Sequence, residues 1–217
     1  METDHITQIE KKSSITKRYH IYVSGEFLLS IHEDVLVKYG LYKGMPIDKE
    51  QIQELLEAEE YNQVRQSALR YLSYKPRTVQ ELRQHLAKKE YREGYVKKVI
   101  VEMQKLGYLD DKQYAQAWIE ERKHRKGYGS LRLKNELKRK GIAPEWIDEA
   151  ISQMDDNQER QLAMEVAQRR YLRIHHESWP KIERKLGQFL QYRGFSIEVV
   201  YATLQKIRSM HLGEEID

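Results

Sequence analysis

Four short constellations in this chain carry residue types that could do chemistry. Asp110-Asp111, behind Gly107-Tyr108-Leu109, could share a metal ion or act as an acid/base pair, but no third carboxylate or histidine follows at ligand spacing. Gly107 sits where a helix should stop and Leu109 can staple the next one. An aspartate at that helix start accepts amide hydrogen bonds and meets the positive helix end, so capping is the stronger reading. Gly127-Tyr128-Gly129-Ser130 could cradle a phosphate at a helix amino terminus. It lacks the lysine of a Walker A loop, and two glycines with a serine also make a helix break and cap. Glu183-Arg184-Lys185 has the E-x-K spacing of some metal-dependent nucleases, which need it on a strand; here it lies in a helical pattern with Ile182, Leu186 and Leu190. The adjacent His175 and His176 would point apart on a helix, and no H-E-x-x-H or Ser/His/Asp pattern accompanies them. The expectation is a chain that is not an enzyme and that needs no metal or other cofactor.

What remains is charge. Lys112 to Lys140 holds 10 Lys or Arg against 3 acids. Arg122, Lys123, Arg125 and Lys126 end one helix, and Arg132, Lys134, Lys138, Arg139 and Lys140 populate the next. A solvated face is often this charged, but it mixes signs. Cations in a last helical turn also complement the helix dipole, although the excess here is larger than caps require. These nine side chains are the candidate contact residues for a polyanion or an acidic protein surface. On DNA phosphates they would bind with a steep salt dependence and little regard for sequence.

The elements that must position them are mostly helices. Period-two alternation in Tyr19–Val23 and Phe27–Ile31, with Ser24-Gly25-Glu26 between, predicts a β-hairpin. Ile6 to Lys12 reads as a third strand and Asp34 to Tyr39 as a short helix closed by Gly40. Asp48 and Gln51 form a capping-box pattern ahead of Ile52, Leu55 and Leu56. The polar stretch Glu57 to Gln63 leaves open whether that helix continues.

From there three-helix units recur in one register. Leu86, Leu137 and Leu190 correspond; four positions on come Glu90, Gly141 and Gly194, then Tyr91, Ile142 and Phe195. In the third helix of each unit Val96/Ile147/Val200, Ile100/Ile151/Leu204 and Met103/Met154/Ile207 define one buried stripe. Thr78 and Ser130 read as amino-terminal caps of second helices. Ala68/Leu72, Ala115/Ile119 and Val166/Leu172 read as core pairs of the first helices.

The fold class is therefore mainly α, an elongated tandem array of three three-helix repeats behind a small β-hairpin-containing element. Its expected parts are a β-rich element over 1–47, a linking helix over 48–60, repeats over 61–109, 110–154 and 155–212, and an acidic tail over 213–217. Tyr91, Tyr95, Tyr108, Tyr114 and Tyr128 interleave with the basic segments and could stack on bases. Packing is favoured, because Tyr91 shares a repeat position with Ile142 and Phe195. Trp118 and Trp146 fall near apolar stripes and are assigned to packing as well.

Composition agrees with a soluble helical protein. Of 217 residues, 38 are Lys or Arg and 34 Asp or Glu, and no apolar run of membrane-spanning length occurs. The start, Met1-Glu2-Thr3-Asp4-His5, lacks the pattern of a secretory signal, and there is no cysteine, so a reducing cytoplasm is expected. The net +4 is uneven: residues 1–60 carry -5 and residues 61–217 carry +9.

Three motifs resemble a known family. Ala68-Leu69-Arg70-Tyr71-Leu72-Ser73 with Arg77-Thr78-Val79-Gln80-Glu81-Leu82, Gly107 to Ala115, and Glu136-Leu137-Lys138-Arg139-Lys140-Gly141-Ile142 look like the RecX regulatory proteins. The triplicate three-helix repeat is also that family's architecture. The resemblance implies a non-enzymatic modulator that lies in the groove of the RecA filament on single-stranded DNA and restrains its ATPase, strand-exchange and coprotease activities; a monomer is expected. It also implies a place in homologous recombination, DNA repair and the SOS response. It covers the amino-terminal strands least. It favours the filament as the target of the basic hairpin, with nearby single- or double-stranded DNA as a second contact, while the sequence itself does not separate the two. The alternative is a stand-alone, non-sequence-specific nucleic-acid-binding protein.

Overall fold

The computed structural model describes residues 4–13, 15 and 17–214, and these form ten helices and four strands. Residues 215–217 of the expected acidic tail lie outside the described residues. The chain divides into two compact units, Met1–Lys75 with Leu82–Leu106, and Pro76–Glu81 with Gly107–Asp217.

In the first unit, β1 (Asp4–Lys11), β2 (Arg18–Val23), β3 (Glu26–His32) and β4 (Pro46–Ile47) form an antiparallel sheet of order β3-β2-β1-β4. The alternation places Ile21, Val23, Leu29 and Ile31 on one buried face, joined by Ile6 and Ile47. Ser24 and Gly25 take φ of 51° and 87°, the left-handed pair of a type I′ turn. The two-residue strand β4 has no pattern of its own; the β1 backbone holds it, pairing Asp4 with Ile47 and His5 with Pro46.

After α1 (Glu33–Lys38), the capping box forms with both of its bonds, Gln51 N–H to Asp48 at 2.8 Å and Asp48 N–H to Gln51 at 3.0 Å. The helix it starts, α2 (Lys49–Leu72), runs unbroken through the polar stretch. Tertiary partners make that stretch tolerable. Glu59 is only 5% exposed, accepts the His32 amide at 2.8 Å and pairs with Arg18 at 2.8 Å, so a helical carboxylate ties α2 to the sheet. Further along, Tyr61 and Arg65 converge on Glu102 of α4 (Glu93–Lys105) at 2.5 and 2.7 Å. Burial first, then Glu102, pushes the Tyr61 hydroxyl up to about 12.

Repeat one is completed by α3 (Val79–Ala87) and α4. The second unit holds α5 (Asp111–Lys126), α6 (Ser130–Arg139) and α7 (Pro144–Ser152), then α8 (Asp156–Tyr171), α9 (Trp179–Arg193) and α10 (Ile197–Glu214). The shared register survives in three dimensions: Leu86, Leu137 and Leu190 are each fully buried, and so are Val96 and Ile147. Each such leucine contributes roughly 1.5–3 kcal/mol relative to exposure. Of the expected first-helix core pairs, Val166/Leu172 is wrong. Leu172 is 70% exposed and lies beyond the end of α8, because six residues of spacing turn it off the stripe; Ala167 and Tyr171, four apart, take the place.

The position after each second helix is left-handed in all three repeats, with φ of 58° at Glu90, 76° at Gly141 and 86° at Gly194. In repeats two and three this is a Schellman end: Ile142 and Phe195 N–H reach Leu137 and Leu190 carbonyls, while Gly141 and Gly194 N–H reach Lys138 and Gln191. Glu90 holds the same conformation with a side chain. Glu90→Gly is therefore expected to stabilise the protein by about 0.5–1 kcal/mol, read as a higher urea midpoint with an unchanged slope. An unchanged or lower midpoint would mean that the positive φ costs nothing there.

Candidate functional site

The second unit contains the same joint twice, and the joint decides which basic residues are free. At the first, Thr78 caps Glu81 N–H at 3.1 Å while its hydroxyl donates to the Lys140 carbonyl at 2.8 Å. Asp111, from the start of α5, accepts the Val79 amide at 2.9 Å. Its neighbour Asp110 caps α5 through Gln113 N–H at 2.8 Å, so both aspartates of the sequence motif serve helix ends. At the second joint, one repeat on, Ser130 is already helical and its side chain makes no cap, contrary to the expectation from sequence. Glu159 of α8 accepts the Ser130 amide at 2.8 Å instead. The Gly129 and Leu131 amides donate to the Arg193 and Gly194 carbonyls at 2.9 and 3.0 Å. With these donors already engaged inside the protein, Gly127 to Ser130 is no phosphate cradle. His175 and His176 follow α8 in a turn, and their rings meet edge-on at 5.8 Å, where helical spacing would have pointed them apart.

The nine candidate cations divide by environment. Arg122, Arg132 and Lys140 are largely covered: Arg122 and Lys140 tie α5 to α6 and its end, and Arg132 ties α6 to the end of α9. Arg122 and Lys140 lie on the Trp118 ring at 4.1 and 4.4 Å, and the Trp118 indole donates to Glu136 at 3.1 Å. Arg132 reaches Glu136 at 3.4 Å and donates to the Tyr192 carbonyl at 3.0 Å. Burial opposes the charge of Lys140, yet its bonds to Glu81 and Tyr114 outweigh that and its pKa is raised. Lys123 pairs with Glu120, Arg125 with Glu121 and Lys134 with Asp148, at 3.1, 3.0 and 2.6 Å. The Arg125 and Lys134 pairs are exposed, contribute about 0–1 kcal/mol and yield readily to a stronger anion, whereas the Lys123 side chain is itself only 15% exposed. Lys126, Lys138 and Arg139 are exposed with no ion pair among the described residues.

Lys123, Arg125 and Lys126 open onto a cleft of about 640 Å³ that also takes Arg169, Arg170, Arg173 and Arg193. Glu120 and Glu165 are its only carboxylates among the described residues, and Leu162, Val166 and Phe189 give it apolar walls. The Arg170 Nε is buried without a hydrogen-bond partner. Burial, and then the Arg132 and Arg169 charges, hold the Arg193 guanidinium below its ordinary value. A polyanion would relieve that repulsion. The sequence reading missed the four arginines because it stopped at the central repeat. The signal was there: Arg169 and Arg170 end α8 as Lys123 to Lys126 end α5. Among the described residues no three His, Asp or Glu side chains gather to hold a metal ion, and no helix is long and apolar enough to cross a membrane.

Family models match the chain in sequence order: the Regulatory protein RecX N-terminal domain over residues 4–48, and the first, second and third RecX three-helix domains over 65–103, 110–151 and 157–204. The chain belongs to the RecX family. Its β-rich start, which the motif resemblance covered least, is thus a RecX element too. The regulatory protein RecX of Clostridium acetobutylicum is 32% identical over 213 residues, covering 96% of this chain and 99% of that one. That of Clostridioides difficile is 30% identical over 202 residues, covering 93% and 95%. A crystal structure of regulatory protein RecX superposes with a TM-score of 0.77 at 27% identity, covering 94% of this chain and 99% of that one. RecX from Lactobacillus salivarius gives 0.65 at 25% identity, over 70% and 98%. The mainly helical fold of three three-helix domains behind a small antiparallel element is the RecX fold, and the family is one of regulatory proteins.

Proposed function

We propose that this chain binds the filament of the recombinase RecA on single-stranded DNA and restrains its ATPase, strand-exchange and coprotease activities. It would act in the cytoplasm, in recombinational repair and the SOS response, with no reaction of its own. The observation that carries this reading is the tandem match to all four RecX domains over most of the chain. The cation-lined cleft supports it, since a nucleoprotein filament offers phosphates and acidic side chains along one groove. Added to RecA on single-stranded DNA, the protein is expected to slow ATP hydrolysis in proportion to its concentration. An unchanged rate, with no filament binding at low salt, overturns the reading.

The same cleft favours a second reading, a nucleic-acid-binding protein that acts alone. In that case salt-dependent DNA binding would be indifferent to added RecA, and the ATPase titration would be flat.

A further inference from the structure

An alternating ladder of rings and guanidinium groups crosses the second joint. Arg193 lies over Phe189 and Tyr128 at 4.9 and 5.8 Å, and Arg132 lies over Tyr128 and Tyr192 at 3.8 and 4.8 Å. The order is Phe189, Arg193, Tyr128, Arg132, Tyr192. The other four members are partly or largely covered, whereas Tyr192 is 74% exposed. No second ring or cation stacks on Tyr192 among the described residues. Its ring therefore has a cation behind it and an open face in front.

That ring lines a shallow groove of about 750 Å³ with Leu131, Asn135, Gln191, Lys138 and Arg139. Lys138 and Arg139 are two of the three candidate cations left without an ion pair among the described residues, Lys126 being the third. We propose that this groove takes single-stranded nucleic acid, with one base stacked on the open face of Tyr192 and the flanking phosphates on Lys138 and Arg139. Chemistry selects this ligand class over its rivals. A flat π-face is what an open tyrosine ring accepts, and every base has one, so binding tolerates sequence. A duplex keeps its base faces stacked inside and can use only the two cations. A folded acidic protein would likewise satisfy the cations, and that charge match by itself makes no use of the open ring. Arg132, fixed between Tyr128 and Tyr192, holds the ring in place before the strand arrives, which lowers the ordering cost.

The site deepens the proposed function, resting on it only for the presence of single-stranded DNA. The test uses the full chain and fluorescein-labelled oligo(dT), with a hairpin duplex as comparison, by anisotropy across a salt series. Tyr192→Ala is expected to weaken oligo(dT) binding roughly tenfold while its salt slope and duplex binding stay as in wild type. Tyr192→Phe keeps the ring and should bind as wild type. K138E/R139E should instead flatten the log-log salt slope by about 1.4, about 0.7 for each phosphate no longer neutralised. Because the Tyr192 side chain is exposed, far-UV circular dichroism should not change. Wild-type affinity in Tyr192→Ala, an equal loss on the duplex, or no oligo(dT) binding by wild type at low salt overturns the inference. If RecA ATPase is still slowed in that event, the proposed function stands without this site. If instead oligo(dT) binding depends on Tyr192 but RecA is unaffected, the site stands and the RecA reading falls.

Discussion

Gly194→Ala is expected to destabilise the protein by roughly 3–5 kcal/mol, because three effects add. A left-handed residue other than glycine costs about 1–2 kcal/mol, and Gly194 sits at φ 86°. A Cβ there would collide with the backbone N and Cα of Arg132, which cannot swing aside as a side-chain tip can. Relief requires opening the joint, which breaks the Gly129 and Leu131 amide bonds to the end of α9, about 1 kcal/mol each. Gly107→Ala supplies the control: its φ is 75°, but a Cβ there meets nothing within 4 Å, so only the dihedral cost of about 1–2 kcal/mol remains. Urea denaturation followed by circular dichroism compares the two. Equal losses of stability would show that the close approach of α6 to the end of α9 has no energetic weight.

Reversing the exposed cations of the large cleft should remove binding without unfolding the chain. The variant Lys126→Glu, Arg169→Glu, Arg173→Glu changes three exposed side chains; the one ion pair it breaks, Arg169 with Glu165 at 3.1 Å, is itself exposed. At on the order of 1 kcal/mol per cation, affinity for the RecA filament on single-stranded DNA should fall by roughly 100-fold at low salt. Co-sedimentation with the filament measures it, and the ATPase effect should disappear in parallel. Arg132→Glu with Lys140→Glu should behave differently, reducing helicity and cooperativity, because those cations hold α6 in place. Undiminished filament binding by the triple variant would exclude the cleft as the contact surface.

The contrast between these variants marks how far the candidate site was legible from residue types. Nine cations in one basic run look alike in sequence, since charge carries no periodic mark of what lies opposite. Three of them turn out to be mortar between helices, Arg122 and Lys140 joining α5 to α6 and its end and Arg132 joining α6 to α9, and the cleft recruits four arginines from α8, α9 and the turn after α8. Likewise the polarity of Glu57 to Gln63 left open whether the helix breaks or continues exposed; α2 continues, and Arg18 and the His32 amide, more than 25 residues away in sequence, satisfy a buried Glu59. Ser130 looked like a cap for its type and position, and Glu159 from the next repeat does that work.

By itself the sequence determined the repeats, their register and their family, while β4 and the continuity of α2 depended on tertiary partners. Helical stripes, the hairpin turn at Ser24-Gly25 and the left-handed stops at Glu90, Gly141 and Gly194 follow from interactions within a few residues, so their spacing records them directly. The repeat of 51 and then 53 residues multiplied that local signal threefold. Only the tertiary structure decided which cations are structural and which face a cleft, and only it showed the joint at which one repeat caps the next. The joint depends on partners 29 to 64 positions apart, whose approach is set by the packing of whole helices and leaves no periodicity in the chain.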